Sequence, residues 1–195
     1  HGGPLTLVSV MRLSRRKRPL LSALAVCALV AAQTPTARAI DPPAPAGLQS
    51  NVVFDEYSPL SSATELERRL LSPLQALGVD QAVAKSGATM REQSIDLTKE
   101  TFTVYVPATK PVHGYALLVF TFPWNNPSVP PRWLAQLDRH GMILVTPDQA
   151  GNDENVLNRR EPLALLAVHN VMLRYAVDAG RVYVGGLSGG SRVAL

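Results

Sequence analysis

Beyond Cys27 the sequence has no cysteine. The chain therefore cannot close a disulfide within itself, and the residues after Cys27 include no thiol nucleophile. Exported proteins can fold without disulfides, so this absence does not fix the compartment. No stretch has metal-ligand spacing and none is a glycine-rich phosphate loop, so neither a metal nor a cofactor is expected. The apolar run Leu20–Ala32 falls short of the about 20 residues that a membrane-spanning helix needs. Acidic residues are missing altogether before Ile40, where six of the 19 basic residues stand. The remainder carries 13 basic against 15 acidic residues, so the net charge of +4 belongs to the leader and implies no nucleic-acid partner.

The leader has an internal order. Residues 1–10 read as translated upstream sequence, and Met11 as the start of a signal peptide over residues 11–39. Arg12–Arg18 is its positive region and Leu20–Ala32 its apolar region. Ala37-Arg38-Ala39 gives the small-x-small cleavage site, so the mature chain is expected to begin near Ile40. This implies secretion or export to a periplasm, with no stable membrane insertion after cleavage; an uncleaved anchor is the alternative. Residues 40–100 read as a proline-rich linker, Asp41–Gly47, followed by a helical appendage. Leu66, Leu70, Leu74 and Leu77 recur there at helical spacing, and Ser72-Pro73 breaks the run.

From Thr101 the pattern alternates. Phe102, Val104 and Val106 predict an edge strand stopped by Pro107. Tyr115–Phe122 and Met142–Val145 predict buried strands, and Arg132–His140 and Pro162–Tyr175 predict helices. Leu165, Leu166, Val168, Val171 and Met172 are the expected apolar face of the second helix. Arg181–Gly185 predicts the last strand. This order implies an α/β fold, a mostly parallel sheet with helices on both faces.

After that strand comes Gly186-Leu187-Ser188-Gly189-Gly190, a match to G-x-S-x-G, with Ser191–Leu195 able to open a helix. Strand, sharp turn and helix are the context of a nucleophile elbow. Ser188 is the candidate nucleophile, held in strained backbone with its hydroxyl exposed. Gly186 and Gly190 are the positions where a β-carbon would clash. The Gly189 amide is a candidate oxyanion donor. A passive serine in a glycine-rich turn is the plain alternative.

The tract Val177–Gly190, with its Asp-x-x-Arg-Val-Tyr-Val lead-in, resembles the nucleophile region of secreted esterases of the polyhydroxybutyrate depolymerase type. Feruloyl and acetyl-xylan esterases of the same α/β-hydrolase group look similar. The resemblance implies an α/β-hydrolase domain over residues 101–195, reaching just past the elbow, and attack by Ser188 on an ester carbonyl. It also implies an oxyanion loop after the strand two units earlier, here Phe122–Asn126. Pro123 has no amide hydrogen, so the second donor is Trp124 or Asn125; Trp124 could equally be a surface aromatic.

The family's triad runs serine, acid, histidine, and neither an acid nor a histidine follows Ser188 in this sequence. His169 lies inside a predicted helix and His140 at a helix end, positions that suit structural roles. The expectation is thus an inactive front portion of an enzyme. Asn152 and Asp153, with Arg159 and Arg160, are candidates for a substrate entrance, against a reading as turn residues and solvated face. The expected partner is an ester, small or polymeric. A serine peptidase of the same fold and a non-catalytic binding protein on this scaffold are the competing functions.

Overall fold

The side chains of the strand β3 (Tyr115–Thr121) point alternately into two packed faces. Tyr115, Leu117 and Val119 enter one cluster, in which Leu163, Leu166, Ala167 and Val171 of the helix α4 (Glu161–Arg174) are buried. Leu118 and Phe120 enter a second cluster, against Trp133, Leu134 and Leu137 of the helix α3 (Pro131–His140). Helices thus cover both faces of one sheet. The computed structural model describes residues 45–194. The expected signal peptide, its cleavage site and the residues before them lie outside that range.

The sheet has five strands in the order β1-β2-β4-β3-β5. β1 (Gly47–Val52) pairs antiparallel with β2 (Phe102–Val106), and β2 pairs antiparallel with β4 (Met142–Pro147). β3 is parallel to both β4 and β5 (Val177–Gly186). Only β2 runs against the other four. Each parallel step crosses over through a helix, β3–α3–β4 and β4–α4–β5, as parallel pairing requires. This is a mostly parallel α/β sheet with helices on both faces.

One expectation changes here. β2 is not an edge strand: all five of its residues are buried, because β1 covers its outer side. The residues of β1 come from the segment read as linker and appendage. That segment also sends Phe54, Ile95 and Leu97 into the cluster beneath α4. Its helices α1 (Ala63–Leu70) and α2 (Pro73–Ser86) do break at Ser72-Pro73. Ser72 caps α2 reciprocally with Gln75, which satisfies two otherwise orphaned amides.

The buried face of α4 is also rotated from the expected one. Leu163, Leu166, Ala167, Asn170 and Val171 are buried, while Met172 is exposed. Asn170 explains the shift. Its side chain donates to the Glu56 carbonyl at 2.7 Å and accepts from the Glu56 amide at 3.1 Å. A buried carboxamide that closes both bonds to one residue's backbone fixes the face that an apolar count alone puts elsewhere.

Candidate active site

β5 ends at Gly186, and the chain turns at Leu187 and Ser188 into a short 3-10 segment, Ser188–Val193. The predicted helix is therefore a tighter one, starting at the serine itself. Leu187 donates its amide to the Thr121 carbonyl at 3.1 Å, and Gly190 donates back to the Leu187 carbonyl at 2.8 Å. Ser188 is left with φ +53°, a left-handed conformation that costs a non-glycine residue about 1–3 kcal/mol. Its side chain is exposed.

The flanking glycines are dictated by contact. A β-carbon on Gly186 would strike the carbonyl of Gly190, and one on Gly190 would strike the carbonyl oxygen of Thr121. Both obstacles are backbone, so neither can swing aside. The turn is thereby pressed against the C-terminal end of β3, and the loop after β3 stands beside the serine.

That loop, with the loop after β4, carries the other sequence candidates. The amides of Trp124, Asn125 and Gly189 bond to no acceptor among the described residues, so each is free to donate. Trp124 is 46% exposed and stacks on Phe122, ring centroids 5.5 Å apart at 29°. It is the outermost member of an aromatic stack that continues through Phe122 to Trp133. The Asn125 side chain joins the two loops, accepting from the Gly151 amide at 2.8 Å and donating to Asp153 at 3.2 Å. Asn152 donates its amide to the Pro123 carbonyl at 2.9 Å, and its carboxamide lies against Gly189. Asn152 is thus brought to the elbow, whereas Asp153 turns toward Asn125.

The two arginines do not line an entrance. Arg159 forks onto Glu100 with two bonds of 2.8 Å and donates to the Gln149 carbonyl at 2.9 Å. Arg160 is 2% exposed. A π-type turn, Val156–Arg160, swings it under the site, where its guanidinium bonds to the backbone carbonyls of Ala150, Gly189 and Phe122 at 2.9, 3.0 and 3.4 Å. Sequence reasoning missed this role, because an arginine after Asn158-Arg159 carries no mark of burial. Next to it, Glu161 is pushed up to about 7 by burial, with the charge of Arg160 opposing.

The described histidines are elsewhere. His113 and His140 precede β3 and β4, at the opposite end of these parallel strands from Gly186, and His169 lies midway along α4. Among the described residues no cluster of histidine, cysteine and carboxylate side chains could hold a metal ion, and no helix is long and apolar enough to cross a membrane. A separate apolar cavity of about 130 Å³ lies between α1, α2 and the π-type turn, lined by Leu66, Leu71, Val79 and Leu157 among others. It shares no lining residue with the elbow.

No family model and no curated protein matches the sequence. Solved structures are similar over about half of the chain. An acetyl xylan esterase from Aspergillus awamori is 16% identical over 49% of this chain and 40% of its own, with a TM-score of 0.43. Thermogutta terrifontis esterase 2, phosphonylated by sarin, is 18% identical over 52% of this chain and 41% of its own, with a TM-score of 0.31. The chain thus spans about two-fifths of each of these proteins.

Proposed function

We propose that this protein is a serine ester hydrolase in which Ser188 forms the acyl-enzyme. One observation carries the reading: an exposed serine held at φ +53° between a parallel strand and a 3-10 turn, with backbone packed against both flanking glycines. A merely passive serine gains nothing from that strain, whereas a nucleophile gains exposure and aim. In the reaction the Ser188 oxygen attacks the ester carbonyl carbon and gives up its proton to a histidine. The carbonyl oxygen takes the negative charge and accepts from the Gly189 amide and from Trp124 or Asn125. The alcohol leaves with a proton, and water then releases the acid. The histidine and its acid partner come, on this reading, from outside residues 45–194.

The finer assignment, to a secreted esterase of the polyhydroxybutyrate depolymerase type, rests on the Val177–Gly190 tract and on the leader. Asn152, against Gly189, is then a substrate-facing side chain, and Trp124 a rim aromatic suited to an acyl group or polymer. The test is turnover of short-chain nitrophenyl esters by the full-length protein. Ser188→Ala should lower kcat by about 10⁴-fold or more, because triad members act as a unit. Retention of most of the activity would refute the assignment.

A further inference from the structure

Arg160 is a charge with no ion-pair partner among the described residues, buried within the candidate site. Asp153 and Glu161 act on it only at longer range, and burial and Arg192 disfavour its charge. A buried guanidinium is costly unless its donors are filled. Here three of its five donors are taken by backbone carbonyls, one from each segment that forms the site. The Phe122 carbonyl directly precedes Pro123 and the two candidate donors, Trp124 and Asn125. The Ala150 carbonyl precedes Gly151, whose amide is held by the Asn125 side chain. Gly189 gives its carbonyl to Arg160 and has its amide free for the oxyanion.

We infer that Arg160 is the positioning residue of the oxyanion pocket, fixing the segments that carry the donor amides by holding carbonyls within one or two residues of them, and placing a fixed positive charge near the developing oxyanion. This rests on the esterase reading and adds to it the group that organises the pocket. The fork is specific to arginine. A lysine ammonium keeps the charge but cannot present planar donors to three separated carbonyls at once. An apolar side chain strands all three. Covalent geometry puts the Arg160 Nη1 at most about 7 Å from the Gly189 amide, inside the screening length of about 8–10 Å at ordinary salt. Since the oxyanion exists in the transition state and not in the bound ester, the effect belongs in kcat rather than in KM.

The experiment uses the full-length protein with Arg160→Lys and Arg160→Ala, each checked for folding by circular dichroism and thermal unfolding. In folded Arg160→Lys, kcat for a nitrophenyl acetate should fall about 10- to 100-fold with KM within about threefold of the unmodified protein. In Arg160→Ala, low and non-denaturing guanidinium should restore kcat at least about tenfold, and should not restore Ser188→Ala. A folded lysine variant with unchanged kcat, or a loss confined to KM, would overturn the proposal. So would failure of both variants to fold, which would assign Arg160 to folding alone. If Ser188 is not the nucleophile of the unmodified protein, the esterase reading itself fails, a result read from wild-type protein before any Arg160 variant is made.

Discussion

The α-carbon of Gly190 packs directly against the carbonyl oxygen of Thr121, the same oxygen that accepts the Leu187 amide at 3.1 Å. One backbone atom of β3 thus both anchors the elbow and forbids a side chain two residues after the serine. Gly190→Ala cannot be absorbed by a rotamer change, since the obstacle is main chain. Moving it would break the Leu187 bond. The substitution should cost about 2 kcal/mol or more in urea unfolding, in line with overpacking a site that cannot relax. An alanine variant within about 0.5 kcal/mol of the parent would show that the turn stands farther from β3.

Arg159 and Glu100 form a bidentate pair in which Glu100 is nearly buried. Arg159→Met leaves that carboxylate in low dielectric without its partner, and should destabilise the fold by about 3 kcal/mol. The double variant with Glu100→Gln should be less damaged than the sum of the two single changes. Strictly additive losses in a double-mutant cycle would mean that the pair contributes nothing as a pair.

Glu161 gives a pH dependence of defined sign. Burial raises its folded-state pKa from 4.5 to about 7, so the folded chain holds a proton that the unfolded chain releases. Its contribution is fully present below about pH 4.5 and is lost as pH rises through 7. Unfolding free energy should fall over that window, by up to about 2 kcal/mol after allowance for solvent screening. Glu161→Gln should flatten the fall. An unchanged slope in the variant would assign the dependence to another group.

The export reading predicts a mature N-terminus at or near Ile40 when the full-length gene is expressed in a bacterial host. N-terminal sequencing checks it. Soluble cytoplasmic protein that still begins at Met11 would contradict it.

The sequence announces the central strands and the two flanking helices because they are buried on one face or two, and burial writes itself as periodicity. β1 escapes for the opposite reason. Gly-Leu-Gln-Ser-Asn-Val has little β propensity of its own. It is a strand because β2 offers it an open edge, with a kink at Asn51, whose φ of +55° accompanies the register shift. The elbow is legible because steric demands select glycine, and glycine is visible in a sequence. Arg160 is not, since a side chain solvated by backbone carbonyls leaves no partner residue to notice. Asn170, by the same logic, looks like a polar interruption of a helix face and is instead buried on it.

The central claim is that Ser188 is a nucleophile, and active-site labelling tests it most directly. Full-length protein is treated with a fluorophosphonate probe, digested and mapped by mass spectrometry. The account predicts one modified residue, Ser188, with labelling abolished in Ser188→Ala while the variant keeps the parent's unfolding midpoint. Labelling at another serine, or labelling that persists in Ser188→Ala, would contradict it.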